Sequence, residues 1–385
     1  MAALCEGLGA AADRLVLGRS LSALHAAANS RVLGDERVFF APHLAFSDAA
    51  FGRVLAEGRA SSGDLRVVLQ SGALAPIAAL TGEEAGFVYL RGGLTGPAQG
   101  APEPLLGRIA AAPTKVTELT EVELPGFSLP DGPFRVVDAW ALPVGHWVQL
   151  LWANLLGLGP ALWQGLGAGL GGAARVAWAA LCAGSLEPYR LAPRVNAISR
   201  GARIHPRATV EGCIIGAGAS VGAGAVVRGC ILGVGARVEE LALVEGSVLG
   251  ENACVQRLAM VKFSLVEAGA FAAGIHQLAV LGARAAVKHG AVLMDQTLVQ
   301  PGALGGALGG VRVLVGGELR RAPHGMLGVC VGPDAVIGSG VRVAAGRAIP
   351  AGLTIVIDPG AVVSRVDVPV GTRLARAVGG GLHPL

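Results

Sequence analysis

Four short segments recur every 17 residues in the second half of the chain: Cys-Ile-Ile-Gly at 213–216, Cys-Ile-Leu-Gly at 230–233, Ser-Val-Leu-Gly at 247–250 and Ser-Leu-Val-Glu at 264–267. A fifth, Ala-Val-Leu-Gly at 279–282, follows after 15. Within the units an aliphatic residue returns about every six positions: Ile215, Val221, Val227; Leu232, Val238, Val244; Leu249, Val255, Val261. Self-similarity at a fixed period decides architecture before any local pattern does. This double period predicts a chain that winds as a three-sided coil.

Composition excludes several classes of protein. Of the 385 residues, 52% are hydrophobic and 15% are charged, which is too apolar for a disordered chain. The net charge is +4 and no basic run with interleaved aromatic residues occurs, which disfavours nucleic-acid binding. None of the six cysteines lies in a C-x-x-C pair, so the sequence predicts neither a metal site nor a redox motif. The first 14 residues carry Glu6 and no early basic residue, which favours a cytoplasmic protein over a secreted one.

Two regions precede the repeats. Residues 1–140 alternate short strand patterns at 37–40, 65–69 and 86–90 with a helix capped by Ser47, which predicts a small α/β domain. Residues 141–195 form a tryptophan-rich helical connector that Gly157, Gly159 and Pro160 are expected to interrupt.

The connector has two interpretations. Between 147 and 184 its only charged residue is Arg175, which suits peripheral contact with a membrane. The alternative is a pair of helices buried against a neighbouring domain or protomer. The apolar runs are shorter than 18 residues, so a simple membrane-spanning helix is not predicted.

The repeat domain covers 196–366 and is followed by a tail at 367–385. Its register is lost in an excursion at 288–327 and then resumes. Solenoids place such insertions on one face, which is often the binding face. The small residues Cys213, Cys230, Ser247 and Ser264 are expected to stack as a packing ladder.

The [Ile/Leu/Val]-Gly-x-x-x-x units resemble the hexapeptide-repeat transferases. That resemblance implies a mainly β fold with a C-terminal left-handed parallel β-helix, and a homotrimer with active sites between adjacent prisms. The stretch 143–154, Pro-Val-Gly-His-Trp-Val-Gln-Leu-Leu-Trp-Ala-Asn, resembles the connector of bifunctional sugar-1-phosphate nucleotidylyltransferase/acetyltransferases. Segments 325–332 and 336–340 resemble the return of that family's chain to its helix after the excursion.

The N-terminal domain departs from that family. A G-G-x-G-T-R phosphate loop is missing, and Leu142 stands where the second magnesium carboxylate is expected. Asp35 would be left as a single carboxylate, which is a poor magnesium site. We therefore interpret 1–140 as a shortened, inactive relative of the nucleotidyltransferase domain.

The resemblance also suggests residues for acyl transfer. His276 lies where the family has its general base and coincides with the 15-residue step, although a hydrogen-bonded structural histidine is the alternative. The predicted substrate-binding residues flank or lie in the excursion: His289, Arg312, Arg320, Arg321 and His324. The positions expected along an acyl-CoA groove are Ala344, Ala345 and Arg347, where small side chains also simply pack corners.

Three functions remain open from the sequence. The first is an acyl-CoA-dependent acyltransferase, without a metal, acting on a sugar or nucleotide sugar that serves as a cell-envelope or polysaccharide precursor. The second is a non-catalytic β-helix protein that binds a nucleotide sugar or a partner, or that organises a membrane-associated assembly through residues 147–184. The third is a sugar-1-phosphate nucleotidylyltransferase, which the missing phosphate loop disfavours.

Overall fold

The fold is known from a computed structural model. It describes residues 15–16, 19–32, 36–72, 74–81, 86–91, 108–129, 132–137, 139–167, 169–184, 187–288, 292–293, 298–299, 312–315, 317–322, 327–338, 341, 343–344, 346–356, 375–378 and 381–384. The chain is mostly β, with a parallel β-solenoid of about seven turns at 197–355. The predicted fold class is confirmed at this level, and the left-handed sense of the coil stays a prediction.

The N-terminal part is a small α/β unit. Its four-stranded sheet has the spatial order Arg37–Phe40, Gly86–Leu90, Leu65–Gln70, Thr114–Glu118, with only the last pair parallel. Three strand pairs lie outside this sheet: Leu15–Val16 with Arg19–Ser20, Leu44–Phe46 with Ala141–Pro143, and Glu121–Leu129 with Gly132–Val137. The described helices are Leu21–Asn29, Asp48–Ala60 and Ala75–Ala78, and one further helical turn lies at 108–111.

Local sequence signals account for much of this unit. The Ser47 side chain accepts a hydrogen bond from the backbone N–H of Ala50 at 3.2 Å, so the predicted cap starts the helix. Behind the sheet, Phe46 stacks on Phe51 with ring centroids 5.5 Å apart, and both rings meet Phe87 edge-on. This aromatic cluster anchors the N-terminal core.

The solenoid has three faces of short parallel strands. The first face contains Ala197–Ile198, Ile214–Ile215, Ile231–Leu232, Val248–Leu249, Leu265–Val266, Val280–Leu281, Leu298–Val299, Cys330–Val331 and Ala348–Ile349. The second contains Arg203–Ile204, Ser220–Val221, Arg237–Val238, Cys254–Val255, Phe271–Ala272 and Ala286–Val287, and a separate pair joins Val336–Ile337 to Thr354–Ile355. The third contains Thr209–Glu211, Val226–Arg228, Leu243–Glu245, Met260–Lys262, Ile275–Gln277 and Val292–Leu293.

The strand register explains the repeat. Ile215 pairs with Leu232 and Leu232 with Leu249, so each 17-residue step puts an aliphatic side chain directly above the last. These three side chains are at most 1% exposed. A single coil cannot bury its apolar row, and stacking buries it continuously.

The predicted Cys and Ser ladder is a packing and hydrogen-bonding feature. Cys213, Cys230, Ser247 and Ser264 are buried, and each side chain donates to the carbonyl oxygen two residues earlier. The Ser247 hydroxyl also accepts the backbone N–H of Ser264 at 3.1 Å. The row therefore ties neighbouring coils together and leaves none of its thiols or hydroxyls facing solvent.

The connector contains two long helices. The first, Trp147–Gly167, is called the connector helix, and the second, Gly169–Ala183, is called the outer helix. The connector helix continues through Pro160, where we expected a break. All of its residues from 147 to 158 are buried, and this packing holds the helix although Pro160 cannot donate a backbone hydrogen bond.

The connector helix lies between the N-terminal unit and the solenoid. It contacts helix Ala75–Ala78 on one side and strands Leu265–Val266 and Val280–Leu281 of the first face on the other. One core therefore runs through all three parts of the chain. The connector helix is thus buried as the buried-connector interpretation predicts, whereas the outer helix is largely exposed. Among the described helices, none has both the length and the apolar character that crossing a bilayer requires.

Two further hairpins complete the described structure. Arg312–Val315 pairs with Glu318–Arg321 within the excursion, and this pair is called the excursion hairpin. Near the end of the chain, Ala375–Val378 pairs with Gly381–Pro384. The helix Pro188–Leu191 and the turn Ala192–Arg194 link the outer helix to the first coil.

Candidate functional site

His276 lies on the inner row of the third face. Its neighbours in that row are Val261 on one side and Leu293 on the other, and Val261 in turn pairs with Val244. The side chain is 0% exposed. The short 15-residue step therefore puts a polar side chain at a position where the solenoid otherwise buries aliphatic groups.

The hydrogen bonding of His276 is incomplete. Its Nε2 lies 2.9 Å from the carbonyl oxygen of Ala273 and donates to it, while Nδ1 is buried and has no hydrogen-bond partner among the described residues. Burial lowers the pKa of His276 to about 4, because a charged ring would be desolvated. The assignment of His276 as general base stays a prediction, which this burial disfavours. The alternative interpretation, a hydrogen-bonded structural histidine, describes the geometry.

The excursion hairpin is fastened to the rest of the molecule on one side. Val313 and Val315 are buried in the shared core, whereas the strand Glu318–Arg321 is exposed throughout. Arg320 donates from Nη1 to the carbonyl oxygen of Leu80 at 3.1 Å, which links the hairpin to the N-terminal unit. Arg320 is thus a structural contact as well as a predicted binding residue.

His146 also holds the half-buried strand of the hairpin, and sequence analysis missed it. Its Nε2 lies 3.3 Å from the carbonyl oxygen of Leu314, and its Nδ1 accepts the backbone N–H of Val148 at 3.3 Å. Burial lowers the pKa of His146 to about 4. The residue precedes the connector helix, so it joins that helix to the excursion.

Three predicted site residues come together at the base of the excursion hairpin. Arg312 and Arg321 are directly opposite each other in the hairpin register, and Arg347 donates from Nη1 to the carbonyl oxygen of Arg312 at 3.3 Å. All three side chains are exposed. None forms an ion pair with an acidic residue in the part of the chain that the structure describes. We call this group the arginine cluster.

The arginine cluster joins residues that were predicted separately. Arg312 and Arg321 were assigned to substrate and Arg347 to acyl-CoA, and the structure brings both sets to one place. Guanidinium groups bind phosphate oxygens in bidentate fashion, so the cluster is suited to a phosphorylated ligand. Ala344, which precedes Arg347 by three positions, is exposed. The other predicted site residues, His289, His324 and Ala345, lie outside the described residues.

Glu267 marks a second departure from the repeat that sequence analysis did not use. It stands where earlier coils have Gly216, Gly233 and Gly250, and it is 5% exposed. Its Oε2 accepts the backbone N–H of Ala283 at 2.8 Å. The carboxylate therefore supports the turn that follows the short step.

The N-terminal unit lacks a metal site in its described part. Leu142 is 0% exposed and its strand pairs with Leu44–Phe46, so it is a core residue. No group of three or more His, Cys, Asp or Glu side chains with metal-binding geometry occurs among the described residues. Asp35 lies outside them.

Comparison with known proteins gives only distant similarities. No protein-family model matches the chain, and no curated protein sequence matches it significantly. Among solved structures, the acetyltransferase domain of PglB from Neisseria gonorrhoeae with acetyl coenzyme A is 18% identical, with a TM-score of 0.19, over 49% of this chain and 57% of that chain. Francisella novicida UDP-N-acetylglucosamine acyltransferase is 12% identical, with a TM-score of 0.22, over 49% of this chain and 68% of that one.

A third similar structure is GDP-perosamine N-acetyltransferase from Caulobacter crescentus in complex with CoA and GDP-perosamine. It is 19% identical, with a TM-score of 0.13, over 41% of this chain and 51% of that chain. The aligned part spans less than two thirds of this structure and of the PglB domain.

Proposed function

We propose that this protein is an acyltransferase that moves an acyl group from acyl-CoA to a sugar or nucleotide sugar. The observation that carries the proposal is the arginine cluster, because acyl-CoA and nucleotide sugars both carry phosphates. The parallel solenoid and its repeat, which resemble the hexapeptide-repeat transferases, support the same assignment. We propose no metal in this reaction.

The proposed reaction is a direct acyl transfer. An amine or hydroxyl of the sugar attacks the thioester carbonyl carbon, and its proton passes to a general base. The C–S bond then breaks and CoA leaves as a thiolate, which takes up a proton. The guanidinium groups of Arg312, Arg321 and Arg347 would hold phosphates of the ligands and so align the two reacting groups.

The general base has to reach the nucleophile. His276 is sealed inside the prism, so we propose that the base is a histidine that flanks the excursion, either His289 or His324. His324 follows Arg321 by three residues, which keeps it close to the arginine cluster along the chain. This assignment replaces His276 in the proposal and uses residues that the sequence already assigned to substrate.

Acyl transfer is tested by following thiol release from acetyl-CoA with a panel of amino sugars and nucleotide sugars. Arg321→Ala should raise KM for the phosphorylated ligand about 10-fold or more, because a lost hydrogen bond to a charged group costs about 1.5–3 kcal/mol. Arg237→Ala is the matched control, since Arg237 is an exposed solenoid arginine outside the cluster. Release at the uncatalysed rate with every acceptor would contradict acyl transfer.

The same assay separates the histidines. Removal of the base, by His324→Ala or His289→Ala, should lower kcat by about 100-fold or more while the protein stays folded. His276→Gln should leave kcat nearly unchanged, because the residue does not contact the solvent-exposed cluster. If His276→Gln lost most of its kcat while its stability stayed normal, His276 would be the general base.

A second candidate is a non-catalytic protein that binds a nucleotide sugar. The specific observation in its favour is the burial of His276, the residue that most resembled a catalytic group. This candidate predicts a rise in melting temperature with nucleotide sugar but no thiol release. It also predicts that Arg312→Ala abolishes that rise.

We further propose a homotrimer, as the family resemblance implies. Light scattering coupled to size-exclusion chromatography tests it with the full chain. If the protein were a monomer at every concentration tested, an active site between two adjacent prisms would be excluded.

A further inference from the structure

The outer helix exposes an apolar surface that nothing in the described chain covers. Trp178 is 67% exposed, Leu181 74% and Val176 39%. The only charged residue of the helix, Arg175, donates to the carbonyl oxygen of Leu166. A helix this apolar that faces water marks an interaction surface.

The first coil of the solenoid leaves the end of the prism open. Ile198 is 52% exposed, whereas its neighbour in the same row, Ile215, is 0% exposed. Ile204 and Val210, which begin the other two rows, are only half-buried. Solenoids normally cover such an end with a capping segment, and here the described residues leave Ile198 about half exposed.

The same part of the chain is strongly basic. Residues 169–210 contain six arginines and one glutamate, a net charge of +5, whereas the whole chain carries +4. The rest of the molecule is therefore close to neutral. The arginines that follow the outer helix are all exposed: Arg190, Arg194, Arg200, Arg203 and Arg207.

The outer helix and the open end are contiguous. The helix contacts Pro188–Leu191, which contacts the turn Ala192–Arg194. That turn packs on Thr209–Glu211 of the first coil, and the backbone N–H of Gly212 donates to the carbonyl oxygen of Ala192 at 2.7 Å. The apolar helix and the arginines thus belong to one continuous region, which we call the basic end.

We propose that the basic end docks on a membrane that contains anionic lipid. Exposed Trp and Leu side chains suit insertion at the headgroup level, and arginines beside them suit anionic headgroups. A second copy is a poor occupant, because a two-fold contact would oppose one set of arginines with the other. The sequence predicted a membrane contact for residues 147–184. Because the connector helix is buried, we assign the contact to the outer helix and to the first coil that follows it.

The proposal is independent of acyl transfer and is tested by vesicle sedimentation with the full chain. Phosphatidylcholine vesicles are compared with vesicles that also contain phosphatidylglycerol. Binding should require phosphatidylglycerol and weaken as salt is added. Arg200→Ser with Arg203→Ser should weaken it about 25-fold, since each arginine near the surface contributes about fivefold.

Two matched controls keep the test specific. Arg237 lies on the same face as Arg203, two coils further along, so Arg237→Ser should bind as the wild type does. Leu181→Ser should weaken binding more than Leu258→Ser, although Leu258 is 71% exposed and so about equally accessible.

Each of three results would overturn the proposal. These are equal binding to both kinds of vesicle, full binding by the arginine double variant, and an equal loss in Arg237→Ser. If the protein bound no vesicle, the membrane proposal would be wrong. If it also formed a dimer that dissociated in Leu181→Ser, the basic end would instead be the contact between two copies.

Discussion

At the scale of single residues, His276 is the most consequential departure from the repeat. It continues a row of valines on the third face, and its folded pKa is about 4 against an ordinary value of 6.5. Between these values the unfolded chain binds a proton that the folded chain excludes, so stability falls as the pH decreases. From about pH 7.5 to about pH 5 this group should cost the wild type about 2 kcal/mol of unfolding free energy.

Replacement by the aliphatic residue of the next coil tests this linkage. His276→Leu, which copies Leu293 of the same row, should remove about 2 kcal/mol from the pH dependence, measured by urea unfolding at the two pH values. His205→Gln, at an exposed site of the first coil, is the control for loss of a histidine side chain. An unchanged dependence in His276→Leu would show that the imidazole is hydrated in the folded protein.

At the scale of the element, close stacking of the coils depends on the glycines that follow several first-face strands, namely Gly216, Gly233, Gly250 and Gly332. A Cβ on Gly233 would lie 2.7 Å from the carbonyl carbon of Gly250, which is backbone and cannot move aside. Gly233→Ala should therefore lower the unfolding free energy by about 1–3 kcal/mol, measured by chemical denaturation.

The outer helix supplies the control for that substitution. Beyond the backbone of its own helix, no described heavy atom lies within 4 Å of a Cβ added to Gly171, so Gly171→Ala should be neutral or should stabilise the helix by up to about 1 kcal/mol. If both variants lost the same stability, steric contact between coils would not be the cause.

At the scale of the whole molecule, Gln149 joins the connector helix to the N-terminal unit. Its side chain accepts the backbone N–H groups of Gly145 and His146 and donates to the carbonyl oxygen of Ile77 at 3.1 Å. The residue is 0% exposed. Gln149→Leu would remove these three hydrogen bonds from the interface, so it should cost about 3 kcal/mol of unfolding free energy.

Tryptophan fluorescence reports on that interface directly. Trp147 and Trp152 are at most 4% exposed on the same helix as Gln149, so their emission should shift to longer wavelength at a lower urea concentration in Gln149→Leu. Gln70→Leu, an exposed position at the end of a strand, should leave the transition in place. A separate early transition in the wild type would show that the N-terminal unit unfolds on its own.

The solenoid is predictable from the sequence alone. A 17-residue repeat with an aliphatic side chain every six positions buries these side chains by stacking one coil on the next. The same repeat sets the strand register, which pairs Ile198 with Ile215 and continues along the solenoid. The helix cap at Ser47 and the packing ladder from Cys213 were predictable for the same reason, since their partners lie close in sequence or one coil away.

The surroundings of each irregular residue, by contrast, depend on how distant segments pack together. Whether His276 faces solvent, whether the connector helix is covered and which arginines converge all depend on segments far apart in the chain. Arg312 and Arg347 are 35 positions apart, and Arg320 meets Leu80 across 240. No periodicity encodes such contacts, because burial is a property of the packed surfaces and not of the residue that becomes buried.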